Sequence, residues 1–275
     1  MNARVNQWLR RFFVEKKKID VEVLKRWNIA FAVLLAVQGV ALLLLSAVHE
    51  LPVNVSFLTS DAIQSKLTNQ AVTAPAIHQL ASINLSYVVG AMLFITALAN
   101  VLLATVWRRY EASLKQRMNP VRWAETAITA SLIVAAASLI AGIYDLASLK
   151  LLVVLTVLMA GLGMAVDVLS SSKRIAYGWL VPAGAAVAGA VPWVTVFWYI
   201  CAAHVFGSAS VPVGTYLVAM LGTLHFVFLA VNTHLADMKR ARWAEYTYAE
   251  LWYQCGGFIL KSTFAWLVFA FVLHP

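Results

Sequence analysis

The stretch Cys255-Gly-Gly-Phe-Ile-Leu-Lys-Ser-Thr-Phe-Ala-Trp266 places Lys261 near the middle of a long apolar run. A lysine at the centre of a bilayer costs about 2.5–3.5 kcal/mol on insertion scales, and Lys261 lies too deep for its ammonium to reach the interface easily. The charge therefore requires a carboxylate partner, or the amine requires conversion to a covalent adduct. Burial favours the neutral amine that forms Schiff bases, so a covalent role is the main hypothesis. A lysine–acid pair that only holds helices together is the alternative.

The whole chain has the composition of an integral membrane protein. Of its 275 residues, 62% are hydrophobic and 12% are charged, whereas soluble domains carry about 25% charged residues. We predict one domain over residues 1–275, an all-α membrane protein with seven transmembrane helices of about 20 residues each. The two cysteines belong to no metal-binding or redox motif, so neither a disulfide framework nor a metal site is expected. The apolar runs cover residues 29–48, 77–107, 123–143, 149–169, 177–206, 212–236 and 251–273.

The distribution of basic residues predicts the orientation of the bundle. If the helices alternate across the membrane, 18 of the 21 lysines and arginines fall on one side and two on the other, while Lys261 lies within a helix. The positive-inside rule then places the N-terminus, with its basic segment 1–27, in the cytoplasm and the C-terminus outside the cell. The net charge of +9 is explained in this way, and nucleic acid is not expected as a partner. Segment 5–26 is compatible with an interfacial helix on anionic lipid or with a solvated tail.

The segment 49–76 is predicted to be the longest extracellular loop. Within it, Leu51-Pro-Val-Asn-Val-Ser-Phe57 alternates apolar and polar residues. Alternation of this kind indicates a strand, and the length of the segment allows a β-hairpin.

Glu125 is the predicted partner of Lys261. Asn119 and Pro120 are typical of an N-cap and a first helical position, so Glu125 lies less than two turns into the third membrane helix. The third and seventh helices enter from the same side, and the Lys261 side chain leans toward the start of its own helix and hence toward Glu125. An interfacial glutamate stabilised by the helix dipole is the alternative. Arg122 is expected to pair with Glu125 or to extend toward the interface.

Other intramembrane groups have weaker functional interpretations. Asn100 and His225 are more often helix–helix hydrogen-bond partners than ligands. Asp167 is expected to face water at the cytoplasmic end of the fourth helix, which leaves Glu125 as the carboxylate of the core. The fourth and fifth helices are rich in glycine and alanine, which permits close packing or leaves volume for a ligand beside Trp193 and Phe226.

Seven helices, a lysine in the middle of the seventh and an acid in the third resemble a microbial retinal protein with a rhodopsin-like bundle. The detailed motifs resemble one branch, the heliorhodopsins. These motifs are Arg122-Trp-Ala-Glu125 in the third helix, Val191-Pro-Trp193 in the fifth and Leu260-Lys-Ser-Thr-Phe-Ala-Trp266 in the seventh, and Glu250, Tyr253 and Trp243 also match. The cytoplasmic N-terminus fits as well, because this inverted orientation separates heliorhodopsins from ordinary microbial rhodopsins.

The resemblance implies a light-sensing photoreceptor and not an enzyme. Lys261 would bind all-trans retinal as a protonated Schiff base, and Glu125 would be its counterion. The family is dimeric, with a slow photocycle and mostly without ion pumping, so a homodimer in contact with membrane lipid is expected in the cell membrane. The basic cytoplasmic face is a candidate surface for an unidentified signalling partner. By position, the retinal pocket would include Met159, Gly163, Trp193 and Phe226, and a polar cavity would include Arg122, Asn100 and Thr129.

The sequence departs from the family pattern at three positions. Leu35 and Asn100 stand where the family often has histidines, and Gly257 stands where it often has a serine. The first two change the polar cavity near the counterion, and the third removes a hydrogen-bonding neighbour of the Schiff base. These departures bear on the photocycle rather than on the presence of the chromophore.

Two other functions have less support in the residues. A light-driven ion pump or channel needs a relay of titratable groups across the membrane. Pumps of this architecture resemble one another in having an acid four residues before the lysine and often another eleven residues after the counterion, where this chain has Gly257 and Ala136. A small-solute transporter with a structural Lys–Glu pair would be expected to show an inverted repeat, and none is visible.

Overall fold

The computed structural model describes residues 20–171 and 178–274, and within these ranges seven helices are long and apolar enough to cross a membrane. The predicted number of membrane helices is therefore confirmed. Two short helices, a two-stranded sheet, a 3-10 turn at Ala241–Ala244 and a π-helical segment at Phe269–Leu273 occur beside them. In chain order the elements are α1 (Val21–Leu45), β1 (Glu50–Ser60), α2 (Ala62–Thr68), β2 (Thr73–Asn84), α3 (Leu85–Thr105), α4 (Trp107–Lys115), α5 (Pro120–Ile140), α6 (Leu146–Ser171), α7 (Leu180–Phe206), α8 (Val213–Asp237) and α9 (Tyr246–Val268).

Side-chain caps determine where two of the membrane helices begin. Asn119 Oδ1 accepts a hydrogen bond from the Arg122 backbone amide at 3.1 Å, and Pro120 is the first residue of α5, as predicted. Asp20 Oδ1 accepts from the Glu22 amide at 3.1 Å, so α1 begins well before the apolar run that starts at residue 29. Residues 20–26 of the predicted interfacial segment thus belong to the cap and first turns of α1. Residues 5–19 lie outside the described residues.

The strands β1 and β2 form an antiparallel hairpin, which confirms the strand predicted at 51–57. The register runs from Glu50 opposite Asn84 to Ser60 opposite Thr73. The prediction that the second membrane helix begins at residue 77 is wrong, because residues 77–84 belong to β2 and the helix begins at Leu85. Apolar residues alternate along β2. They lengthened the apolar run at its start, although they form a strand and not a helix.

The two ends of the bundle differ in charge. We call the end at which α1, α5 and α9 begin the basic face, and the end that carries β1 and β2 the hairpin face. At the hairpin face, the Asn54 amide donates to the Tyr144 carbonyl and the Ala47 amide donates to the Leu273 carbonyl, both at 2.8 Å. The basic face carries Lys25, Arg26, Arg108, Arg109, Lys115, Lys239, Arg240 and Arg242 among the described residues. Lys173 and Arg174 lie outside them.

Helices α1, α3, α5 and α9 form most of the core that positions the site. Between the level of Lys261 and the hairpin face this core is mostly apolar, with buried polar exceptions such as Ser86 and Ser138. Examples of its apolar side chains from α3, α5 and α9 are Val89, Leu93, Ile133, Ala136, Phe264 and Val268.

Candidate functional site

Lys261 on α9 and Glu125 on α5 are in direct contact in the interior. The Lys261 ammonium donates a hydrogen bond to Glu125 Oε1 and lies 3.3 Å from Thr96 Oγ1 on α3. The two side chains are only 5% and 10% exposed, so the ion pair is largely dehydrated. Burial of two charges is tolerated only where they pair closely and their other polar atoms are satisfied. Each member of this pair therefore depends on the other.

Two hydroxyl groups hold the Glu125 carboxylate. Thr96 Oγ1 donates to Glu125 Oε1 at 2.7 Å, and Thr129 Oγ1, one turn further along α5, donates to the same oxygen at 3.0 Å. Hydrogen bonds to a carboxylate stabilise its charged form. Thr129 was predicted near the polar cavity, whereas Thr96 was not predicted. The sequence does not indicate this role for Thr96, because the hydroxyl of a threonine in a membrane helix commonly donates to the preceding turn. The Met92 carbonyl, 2.9 Å from Thr96 Oγ1, is such an alternative acceptor for the single hydroxyl hydrogen.

Arg122 pairs with two other carboxylates and not with Glu125. Its Nη2 lies 2.7 Å from Asp167 Oδ2 on α6, and its Nη1 contacts Glu250 Oε2 on α9. The expectation that Arg122 pairs with Glu125 or extends toward the interface is therefore wrong, because the guanidinium fork spans two acids that flank it on neighbouring helices. The expectation that Asp167 faces water is also wrong. Packing of α6 against α5 leaves Asp167 only 4% exposed.

We call Arg122, Asp167 and Glu250 the arginine cluster. Asp167 Oδ2 accepts two further hydrogen bonds, from Trp123 Nε1 at 2.7 Å and from the Tyr246 hydroxyl at 2.6 Å. Arg122 Nη2 also donates to the Tyr246 hydroxyl at 2.8 Å. The Asp167 carboxylate is therefore surrounded by donors although it is buried, which is the usual condition for an ionised group in an interior.

Glu250 is bound by a second set of donors. Its Oε1 accepts from Asn119 Nδ2 at 2.7 Å and from the Tyr110 hydroxyl at 2.9 Å, and Tyr110 in turn accepts from Gln254 Nε2 at 3.1 Å. Burial and the negative charge of Glu250 raise the pKa of Tyr110 well above its usual value. Tyr110 therefore remains a neutral hydroxyl that links the amphipathic helix α4 to the membrane helices.

A polar cavity of about 50 Å³ joins the Lys261–Glu125 pair to the arginine cluster. It has room for a few water molecules, since each needs roughly 10–15 Å³ for its centre. Asn100 lies at this cavity, as predicted by position, and its Nδ2 donates to the Thr96 carbonyl at 2.8 Å. Leu35 instead belongs to the apolar core. The polar lining residues are Thr96, Asn100, Arg122, Glu125, Glu250, Tyr253, Gln254 and Lys261, and Gly257 also borders the cavity.

The four residues predicted by position for a retinal pocket surround two neighbouring apolar cavities. Met159, Gly163 and Phe226 border a cavity of about 340 Å³ between α5, α6, α7 and α8. Trp193 borders a much smaller one of about 10 Å³, which Met159 and Phe226 share. The structure therefore brings all four residues into one region of the bundle.

Three aromatic rings of this region pack directly on the backbone of neighbouring helices. At each contact the facing residue is a glycine, because an added Cβ would overlap the ring. The pairs, with the distance from such a Cβ to the nearest ring atom, are Gly163 with Trp123 (2.3 Å), Gly189 with Phe226 (2.2 Å) and Gly222 with Trp193 (2.1 Å).

The sequence analysis did not predict that the polar residues of α9 form one continuous face, although their spacing indicates it. Tyr246, Glu250, Tyr253, Gly257 and Lys261 follow one another at spacings of three or four residues, which place them on one side of a helix. This spacing predicts that Glu250 lies on the same side as Lys261. The spacing does not predict which residues of α4, α5 and α6 meet this face.

Seven membrane helices around a buried lysine–glutamate pair define a membrane protein of the rhodopsin type. The Heliorhodopsin family model matches residues 24–273, nearly the whole chain, and the protein belongs to this family. It is accordingly a retinal-binding, multi-pass membrane protein of a light-sensing family. A comparison with curated proteins found no match.

Proposed function

We propose that this protein is a photoreceptor in which Lys261 holds all-trans retinal as a protonated Schiff base, Glu125 is the counterion, the photocycle is slow and no ions are pumped. The observation that carries the proposal is the contact between the Lys261 nitrogen and the Glu125 carboxylate in a dehydrated interior. An amine in this environment is shielded from bulk solvent and is next to the anion that a protonated Schiff base requires.

The residues around Lys261 fit retinal. Gly257, one turn before Lys261, has no atom within 4 Å of the position that a Cβ would occupy, so space is open beside the lysine stem. A separate cavity of about 340 Å³, with Met159, Gly163 and Phe226 in its wall, has the size and mostly apolar lining that a polyene and its ring require, although Lys261 does not border it. Trp193 adjoins the same region through the smaller cavity. When bound, retinal supplies light absorption and isomerisation, and the chain supplies attachment, charge and confinement.

Each residue of the pair has a definite task in this proposal. The Glu125 anion keeps a proton on the Lys261 nitrogen, because an opposite charge in contact favours the charged form of that group. Thr96 and Thr129 hold Glu125 Oε1 toward Lys261, so the carboxylate does not rotate away. Asn100 and the open position at Gly257 shape the polar cavity on the same side.

The distribution of buried acids supports the absence of pumping. Transport needs titratable groups on both sides of the Schiff base. Within the described residues, the buried carboxylates other than Glu125 are Asp167 and Glu250, and both lie between Lys261 and the basic face. Toward the hairpin face no buried carboxylate occurs in the described part of the chain, and the buried titratable group beside Ile133 is His225.

The experiment that tests the chromophore is a visible spectrum of the protein expressed with all-trans retinal. Wild type should absorb in the visible range, and Lys261→Ala should be colourless because the attachment atom is absent. Lys150→Ala removes an exposed lysine at the start of α6 and should keep the full colour. A coloured Lys261→Ala variant with covalently attached retinal would refute the assignment.

We also propose a cytoplasmic N-terminus, an extracellular C-terminus, a homodimer and a signalling partner at the basic face. The charge difference between the basic face and the hairpin face supports the orientation. In a background without Cys201 and Cys255, an impermeant thiol reagent should label Lys66→Cys in intact cells and should spare Arg109→Cys until the cells are opened. Both positions are exposed, so access depends on the side of the membrane. The reverse labelling pattern would invert the proposed topology.

A further inference from the structure

The arginine cluster contains more negative than positive charge. Asp167 and Glu250 are 4% and 1% exposed, and within the described residues Arg122 is the ion-pair partner of both. Two ionised carboxylates around one guanidinium leave one uncompensated charge in the interior. Buried groups avoid such a charge by a change of protonation, and carboxylates that share a site rarely ionise together. The neighbouring Lys261–Glu125 pair is itself neutral and does not remove the surplus.

The other charged and titratable groups around the cluster do not compensate it. Arg117 lies over the Tyr246 ring at 5.6 Å from the centroid, and its Nη atoms donate to the carbonyls of Ala236 and Ala244 at 2.8 Å. Arg117 is partly exposed, and within the described residues it forms no ion pair with Asp167 or Glu250. Tyr246 and Tyr253 flank Arg122 as uncharged rings, and the Arg122 guanidinium carbon lies 3.8 Å from the Tyr253 centroid.

Glu250 is the carboxylate better suited to hold a proton. Both carboxylates accept hydrogen bonds from three side chains, which are Arg122, Trp123 and Tyr246 for Asp167 and Arg122, Asn119 and Tyr110 for Glu250. What distinguishes the two carboxylates is the polar cavity. Asp167 does not border the polar cavity. Glu250 does, together with Lys261, so a proton on Glu250 can exchange with water in that cavity.

Tyr110 can hydrogen-bond to Glu250 whether the Glu250 carboxyl group is protonated or ionised. At present its hydroxyl donates to Glu250 Oε1. Asn28 Oδ1 and Gln254 Oε1 are buried acceptors without a partner among the described residues. The Gln254 amide lies 3.1 Å from the Tyr110 oxygen through its Nε2. If this amide turns over, its Oε1 accepts from the Tyr110 hydroxyl, and a protonated Glu250 can donate to the Tyr110 oxygen.

We propose that Glu250 is a proton-binding site, which holds one exchangeable proton in the resting protein and shares the polar cavity with Lys261 and Glu125. On release, the O–H bond of Glu250 breaks, the proton passes to a cavity water, and the hydroxyl of Tyr110 turns back to donate to the new carboxylate. The net charge of the cluster then changes from zero to minus one, beside the Lys261–Glu125 pair. This site goes beyond the proposed function and does not require retinal.

Infrared spectroscopy of the full chain in lipid nanodiscs, prepared without and with retinal, tests the site. At neutral pH the wild type should show the C=O stretching band of a protonated carboxylic acid that shifts in D2O, and Glu250→Gln should lose it. Glu111→Gln, which removes a surface carboxylate 2.9 Å from Lys115, should retain the band. A wild type without the band, or Glu250→Gln with it, would overturn the proposal. Since the band is expected without retinal, its absence would leave the chromophore assignment standing.

Asp167→Asn is a second test that leaves Glu250 in place. With one carboxylate removed, the single charge of Arg122 is balanced by Glu250 alone, so Glu250 should ionise and the band should disappear. Retention of the band in Asp167→Asn would refute the charge argument even if Glu250→Gln failed to fold. Tyr110→Phe should keep the band at a shifted frequency, because the hydrogen bond to Glu250 is lost. An unshifted band in Tyr110→Phe would contradict the role given to Tyr110.

Discussion

The interior of the bundle differs on the two sides of Lys261. On the side of the basic face lie the arginine cluster, the polar cavity and the hydroxyl groups that bind Asp167 and Glu250. On the side of the hairpin face, no buried aspartate, glutamate, lysine or arginine occurs within the described residues, and the helices meet through apolar side chains such as Leu93 and Ile133.

The buried carboxylates Asp167 and Glu250 therefore lie on the same side of Lys261 as the polar cavity, which has room for water. The buried titratable group beside Ile133 is His225. Net transport would require proton acceptors on both sides, so this distribution agrees with the sensor proposed above.

The largest effect on folding free energy is expected from replacing Arg122, the cation of the arginine cluster. Arg122→Gln leaves the buried Asp167 carboxylate without its ion-pair partner and removes a hydrogen-bond donor from Glu250. Removal of one partner from a buried ion pair costs about 3–5 kcal/mol of folding free energy. Graded detergent or thermal denaturation should show a loss of this size. Arg108→Gln, at an exposed position of α4, should stay within about 0.5 kcal/mol of wild type. Equal stability of Arg122→Gln and wild type would mean that the cluster does not hold the helices together.

A smaller but specific effect is expected at Glu125. In Glu125→Gln the chromophore should lose its proton at a pH about 1–3 units lower than in wild type, because the contacting anion is gone. The remaining visible band should shift to longer wavelength for the same reason. A pH titration of absorbance measures both changes, with Glu111→Gln as the matched surface control. If Glu125→Gln and wild type titrate together at one band position, another acid is the counterion.

For proton transport, we expect illumination to have no effect. Illuminated cells in weak buffer should show no pH change that an uncoupler abolishes. The reason is that no buried carboxylate lies between Lys261 and the hairpin face within the described residues. Lys261→Ala cells provide the baseline without chromophore. A reproducible uncoupler-sensitive change in wild type alone would show that protons pass between Lys261 and the hairpin face and would favour the pump.

The helices and the central pair could be predicted because their signals are local. Apolar runs of sufficient length define membrane helices, and Lys261 and Glu125 are noticeable because a charge within such a run is costly. The cap at Asn119 was readable for the same reason, since it depends on neighbours within one turn.

The arginine cluster could not be predicted because it depends on which helix faces which. Asp167 lies near the end of α6, where an acid is usually solvated, and only the packing of α6 against α5 buries it beside Arg122. The predicted start of α3 was wrong for a different reason. Hydropathy averages over a window, and the alternating residues of β2 raise that average without forming a helix.

The three glycine–ring contacts have a mechanical consequence. Where a ring rests on another side chain, a push can be absorbed by rotation of that side chain, but Gly163, Gly189 and Gly222 offer only backbone. A shape change in the pocket that displaces Trp123, Phe226 or Trp193 must therefore shift the axis of the facing helix. At these three contacts a ring that moves toward its neighbour meets helix backbone directly, with no side chain between them to yield.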